Sequence, residues 1–225
     1  MDLARISALL LPFLDRALPE VQLQQISTYI DLLLRWNARI NLTAIRDSEQ
    51  IVTRHFGESL FLARHLFPET GSTPAGTRVL DIGSGAGFPG IPMKLWAATL
   101  SLTLVESNHK RAAFLREVIR ALTLTDINVI TARAETLTPA HPPAGVVTLR
   151  AVERFDTILP VAASLVAPTG RLALLISSPQ LPDLETLLPN LRWEAPIPIP
   201  QSDSRVLSIS IPPPIVGENS YPASI

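Results

Sequence analysis

The stretch RVLDIGSGAGFPGIP, residues 78–92, decides the fold. An apolar segment, RVLDI (78–82), runs into a loop with glycines at 83, 85, 87 and 90. Read literally, Gly85-x-Gly87-x-x-Gly90 matches the dinucleotide fingerprint, between a strand and a helix as that fingerprint requires. Glu106 closes the next candidate strand, where an acid would hold a ribose. Two features turn the reading away from a nicotinamide cofactor. Pro89 and Pro92 remove N–H donors from the helix N-terminus that a pyrophosphate needs. Asp81, two residues before Gly83, would repel a pyrophosphate but favour an ammonium or a sulfonium. S-adenosylmethionine carries both of those cations and no phosphate. The bland alternative is a tight strand-to-helix turn whose glycines serve packing alone.

Working outward, short apolar strands alternate with helical stretches. Candidate strands cover 78–82, 101–106, 127–131, 145–150 and 171–176, with helices over 91–98, 108–122 and 155–166. Such alternation implies a parallel sheet covered on both faces. A strand over 205–211 follows another near 191–199, so an antiparallel hairpin is expected at the sheet edge. Upstream, Leu23, Ile26, Tyr29, Ile30, Leu33, Leu34 and Ile40 recur at helical spacing over 20–40. Helices are also expected over 3–17 and from Asp47 to Leu66. The expected organisation is a helical section over 1–70 packed on the core, an α/β domain over 71–211, and a disordered proline-rich tail over 212–225.

The chain has 225 residues, 47% of them hydrophobic, a net charge of -1 and no cysteine. The length suffices for one sizeable core. The missing cysteine excludes disulfides, thiolate metal sites and a cysteine nucleophile. Residues 1–120 carry 13 Lys and Arg against 11 Asp and Glu, and the remainder 6 against 9, so the basic side is N-terminal. LLLPFL (9–14) is broken by Pro12 and lacks a basic leader, so no signal peptide is read, and no run approaches the ~20 residues of a membrane span. A cytoplasmic protein is expected. Its four histidines show no metal-ligand spacing, so no metal is expected. The sequence gives no oligomeric state, and a monomer is the working expectation.

The pattern D-x-G-x-G-x-G with an acid at the next strand end resembles the cofactor motif of Rossmann-like methyltransferases. DIGSGAGFPGIP (81–92) narrows the resemblance to the ribosomal RNA small subunit methyltransferase G family, also called glucose-inhibited division protein B. LLRWNARINLTAI (33–45) is similar to that family's W-N-x-x-x-N-L-T segment, and RHFGES (54–59) to its R-H-x-x-D-S, with Glu58 where Asp is usual. LVESNHKRAAFL (104–115), ARAE (132–135) and LRAV (149–152) resemble its later segments. The family's Lys-Gly pair after the fifth strand is absent from LLISSPQ (174–180).

The resemblance implies a Rossmann-like methyltransferase fold, with a mostly parallel seven-stranded sheet and an antiparallel edge. It implies methylation of guanine N7 in 16S ribosomal RNA, as naked RNA or a small-subunit particle, with S-adenosylmethionine as cofactor. Implied cofactor positions are Gly83, Phe88, Ala134, Glu135 and Arg150; Asp81 joins them from the charge argument and Glu106 from its ribose-binding place at the next strand end. Guanine N7 already presents a lone pair, so no general base is expected and no catalytic residue is assigned. Arg54, His55, Lys110 and Arg111 are candidates for RNA contact, and Arg35, Arg39, Arg46, Arg116 and Arg120 could extend a phosphate track. A solvated charged helix face is the plain alternative. Rival functions are a small-molecule methyltransferase on the same fold and a non-catalytic RNA-binding or assembly factor.

Overall fold

Strand β1, Arg78–Ile82, sits near the middle of the sheet because its residues after Arg78 are all buried, as a strand covered on both faces requires. The computed structural model describes residues 1–68, 76–137, 141–151 and 154–212. Around β1 lie β2 (Ser101–Val105), β3 (Ile127–Ile130), β4 (Ala144–Arg150), β5 (Val166–Ser177), β6 (Arg192–Trp193), β7 (Ile197–Pro198) and β8 (Arg205–Ile211). The order is β3-β2-β1-β4-β5-β8-β6, with β7 also paired to β8. β1 to β5 are parallel, and β8 turns antiparallel against β5. The chain leaves β1 toward β2 on one side and returns to β4 on the other, so a crevice opens at the carboxyl ends of β1 and β4.

The described helices are α1 (Leu3–Leu10), α2 (Glu20–Asn37), α3 (Ser48–Gln50), α4 (Glu58–Leu66), α5 (Gly90–Trp96), α6 (His109–Ala121), α7 (Phe155–Ser164) and α8 (Leu181–Leu187). One core unites the N-terminal helices with one face of the sheet: Ile6, Tyr29, Ile30 and Phe56 pack in the same cluster as Ile91, Leu104 and Phe114. A second cluster on the other face joins Leu80, Val147 and Leu174 to Leu159 and Leu184.

Several expectations change in detail. The single strand expected near 191–199 is two short pieces, β6 and β7, which makes eight strands among the described residues instead of seven. Helix α1 ends at Leu10, where a 3₁₀ turn with Pro12 takes over, short of the expected residue 17. The helix opening at Asp47, whose side chain accepts from Gln50 N–H at 2.8 Å, is interrupted by a π-helical stretch over Ile51–Gly57. Its wider turns carry Arg54 and His55, and such stretches occur often at functional sites. Helix α8 had no counterpart in the sequence reading. Residues 213–225 of the expected disordered tail and the 70/71 boundary lie outside the described residues. None of the described helices is long and apolar enough to cross a membrane.

Candidate active site

Backbone hydrogen bonds shape the loop after β1 before any side chain acts. Gly83 and Ser84 donate N–H to Val105 O of β2, at 2.9 and 3.1 Å, and Gly87 donates to Ser84 O at 2.6 Å. Gly83, Gly85 and Gly87 hold φ of 68, 56 and 90°, which side-chain-bearing residues rarely adopt. At Gly90 the demand is space instead: a Cβ would meet the Asp81 Oδ2 at 2.7 Å and the Leu104 Cδ2 at 2.5 Å.

Asp81 is fully buried behind this loop and off the cleft wall. Its Oδ1 accepts from the Thr148 hydroxyl at 3.0 Å and its Oδ2 from Gly90 N–H, the first residue of α5, at 3.2 Å. The other first-turn donors of α5 are also engaged: Ile91 N–H bonds Gly87 O at 2.9 Å, Met93 N–H bonds Pro89 O at 3.1 Å, and Pro92 has none. The end of α5 that would receive a pyrophosphate is thus filled by the protein's own carboxyl. Burial raises the Asp81 pKa to about 6, against the hydrogen bonds that favour its charged form.

In front of the loop opens a cleft of about 790 Å³, inside the roughly 300–1,000 Å³ range of small-molecule sites. Gly83, Phe88, Glu106, Ala134, Glu135 and Arg150 all line it, so six of the seven expected cofactor residues converge on one wall system. Glu106 accepts Gly85 N–H at 2.9 Å and Asn108 N–H at 2.7 Å. A carboxylate has about four acceptor directions, so two backbone bonds orient it and leave lone pairs for hydroxyl groups in the cleft. Ala134 and Glu135 sit on a 3₁₀ turn after β3, with Glu135 paired to Arg154 at 3.1 Å.

Phe88 stands at the centre of an aromatic stack. The His55 ring lies on one side at 4.8 Å and 19°, and Tyr29 lies parallel at 5.4 Å and 4°. Tyr29 also donates its hydroxyl to Ala86 O, and its oxygen occupies space that a Cβ on Gly87 would need. A side chain of α2 thereby pins the loop, a role that periodicity alone reduced to a core position. Tyr29→Phe should leave the buried Ala86 carbonyl unpaired and cost about 1–3 kcal/mol, measured by chemical denaturation. An unchanged midpoint would mean that another donor replaces the hydroxyl.

The far wall is basic. Glu58 is 1% exposed and gathers three arginines: Arg54 Nε at 3.0 Å from Oε1, and Arg150 Nη2 and Arg205 Nε, each 3.1 Å from Oε2. Arg150 also donates to the Arg54 backbone carbonyl at 2.5 Å and lies 5.9 Å from the Phe88 ring. Burial lowers its pKa to about 10, which leaves it charged at neutral pH. Neither Glu58 as a buried hub nor Arg205 as a cleft residue was legible in the sequence. Ser177, at the end of β5 where the family resemblance would supply Lys-Gly, stands opposite Arg205 in the strand register.

His55 Nε2 lies 2.8 Å from Thr43 Oγ1, in the loop that Asn37 shapes by accepting Leu42 and Thr43 N–H at 2.8 and 3.0 Å. Burial, then the charges of Arg150, Arg54 and Arg205, lower the His55 pKa to about 3. The unfolded chain binds this proton near pH 6.5, so the folded protein keeps its full stability above that pH and loses it toward pH 3. His55→Gln should flatten the fall of stability between pH 6.5 and 4, where wild type can lose up to about 1.4 kcal/mol per pH unit. Urea unfolding at fixed ionic strength reads this. Asp81 acts in the opposite sense in both proteins and drops out of the comparison. Parallel curves would show that the imidazole protonates freely in the folded state.

The remaining basic candidates separate. Arg111 lines the cleft near Glu106, whereas Lys110 is exposed and is not among the lining residues. Arg116 Nη2 donates to Thr131 Oγ1 at 2.8 Å along the β3 edge, and Arg35 pairs with Glu117 at 2.8 Å. Trp36 packs edge-on to Phe114 at 5.7 Å. Among the described residues, no group of three or more His, Asp or Glu side chains is placed to hold a metal ion.

The family model for rRNA small subunit methyltransferase G matches residues 22–187. A Roseiflexus castenholzii protein of that name is 45% identical over 157 residues, 68% of this chain and 64% of its own length. One from Xylella fastidiosa is 37% identical over 186 residues, 82% of this chain and 84% of its own. The chain thus spans less than two thirds of the first of these relatives. Among solved structures, a ribosomal protein L11 methylase from Lactobacillus delbrueckii superposes with a TM-score of 0.56 at 18% identity, covering 69% of this chain and 79% of that one. That likeness shows the fold alone, a Rossmann-like, mostly parallel sheet. By sequence, the chain belongs to the rRNA small subunit methyltransferase G family.

Proposed function

We propose that this protein transfers a methyl group from S-adenosylmethionine to N7 of a guanine in 16S ribosomal RNA. The observation that carries the cofactor choice is the filled N-terminus of α5. Asp81 takes the Gly90 N–H that a pyrophosphate would need, while Glu106 keeps acceptor capacity toward the cleft. A cofactor with a ribose and no phosphate fits both facts. Family membership supports the RNA substrate, and the arginines around Glu58 are what a small-molecule substrate would leave without a role.

When bound, the cofactor supplies a sulfonium-activated methyl; guanine N7 supplies the lone pair, the S–C electron pair leaves with sulfur, and no proton is lost. The protein's task is therefore to position. Gly83 lets backbone approach the methionine portion, and Glu106 accepts from the ribose hydroxyls. Ala134 and Glu135, on the turn after β3, would meet the adenine edge. Phe88, stacked with Tyr29 and His55, would serve as an apolar wall of the site. Asp81 contributes through the loop it holds. Orientation of this kind can supply about 7–11 kcal/mol of a barrier, so no general base is required. A ribosomal RNA substrate fits a cytoplasmic enzyme. All of the proposed cofactor residues lie on one chain, which is compatible with the monomer expected from the sequence.

Calorimetry tests the cofactor assignment. Binding of S-adenosylmethionine or S-adenosylhomocysteine is expected, with no heat from NAD. Micromolar NAD affinity without response to either adenosyl compound would overturn it.

A further inference from the structure

We propose that Arg205 and Arg54, held on Glu58, form a phosphate subsite that grips a backbone phosphodiester next to the target guanine. The inference rests on the RNA methyltransferase reading above and assigns the far half of the cleft. Three guanidinium groups share one carboxylate at 3.0–3.1 Å, which leaves two positive charges in excess beside the cleft. Arg150 is 8% and Arg205 19% exposed, so water screens this excess poorly. Hydrogen bonding is incomplete as well. Arg205 Nη2 has no partner, and its Nε, although 3.1 Å from Glu58 Oε2, lacks the alignment of a hydrogen bond. Buried donors without acceptors are costly, and an entering anion would satisfy them. Arg54 spends only Nε on Glu58 and is 44% exposed in its side chain, so the rest of its fork is open to the cleft. A planar fork opposite a second one suits the oxygens of a phosphate.

The strand order says why this anion belongs to the substrate. Glu106 and Ala134 lie past the ends of β2 and β3, on one side of β1. Arg205 opens β8, the third strand from β1 on the other side. At a spacing of about 4.8 Å per strand, the backbone of Arg205 is on the order of 14 Å from β1. With its adenine at Ala134, its ribose on Glu106 and its methionine portion at Gly83, the cofactor would span the β3–β1 side, which leaves the β5–β8 side for RNA. Arg150, on β4, stands between the two halves and holds Glu58 in place. Neutral His55 adds no charge to the group and meets it as a stacked wall on Phe88.

Arg205→Gln keeps the stem and loses the charge; Arg205→Lys keeps the charge and loses the fork. Inorganic phosphate, which needs no RNA and no reaction, should raise the melting temperature of wild type and not of Arg205→Gln, with Arg205→Lys between them. In methyl transfer to 16S rRNA, Arg205→Gln should raise KM about tenfold. It should also flatten the slope of log kcat/KM against log salt by about 0.7–0.9, the contribution of one phosphate contact. S-adenosylhomocysteine affinity should stay within about threefold of wild type. Equal phosphate stabilisation of wild type and Arg205→Gln would overturn the subsite. So would loss of S-adenosylhomocysteine binding with RNA kinetics unaltered, because the arginines would then be holding the cofactor carboxylate. Phosphate stabilisation that requires Arg205, in a wild-type protein that methylates no RNA, would uphold the anion site and overturn the functional reading beneath it.

Discussion

Gly83→Val should lower methyl transfer by at least about 10³-fold while the protein still folds. Gly83 sits at φ 68° at the end of β1 and lines the cleft. A β-branched residue is a genuine outlier there, and such backbone strain costs about 1–3 kcal/mol. The loop can move to relieve it, but movement displaces the Gly83 and Ser84 N–H bonds to Val105 and carries Gly85 off Glu106. In the proposed reading, the new side chain would also occupy the space of the cofactor's methionine portion. Loss of position is costly in a reaction that depends on orientation. Transfer from labelled S-adenosylmethionine measures the rate, and circular dichroism melting separates it from unfolding. A variant that melts within a few degrees of wild type and remains active would place the ligand elsewhere.

Glu58→Ala is expected to carry the largest stability loss of the site. The glutamate is the common partner of Arg54, Arg150 and Arg205, and its removal leaves three cations facing one another with no carboxylate between them. Breaking a buried ion pair costs about 3–5 kcal/mol because the stranded charge stays buried. At about 2–4 °C per kcal/mol for a chain of this size, the melting temperature should fall by roughly 6–20 °C. Glu58→Gln retains hydrogen-bond acceptance through one oxygen and should fall between. A loss below about 1 kcal/mol for Glu58→Ala would mean that the three arginines swing out to solvent and the cluster is not rigid.

The division between what could and could not be read in the sequence follows contact range. The glycine loop, its strand and Glu106 obey local rules of period and turn chemistry, and the structure gathers them on the same wall of the cleft. Lys110 and Arg111 are adjacent basic candidates in the sequence, but successive helical residues point about 100° apart, and of the two only Arg111 lines the cleft. Glu58 and Arg205 are separated by 147 positions and meet through the antiparallel return of β8, which no spacing rule announces. Tyr29 shares its helical stripe with plain core residues; only the docking of α2 over the glycine loop makes its hydroxyl a clamp on Ala86. The π-helical stretch that carries Arg54 and His55 has no composition signature; it is a local feature of a segment that packs against α1, α3 and α4. Two-residue strands such as β6 and β7 are likewise too short for alternation to register.

The central claim, methyl transfer to guanine N7 of 16S rRNA, is tested most directly on ribosomal particles from a strain lacking this gene. The purified protein is incubated with those particles and tritiated S-adenosylmethionine, and the labelled RNA is cleaved under conditions that break the chain at 7-methylguanosine. The account predicts label in 16S rRNA and scission at one guanine. Label confined to small molecules, or label in RNA that resists this cleavage, would contradict it.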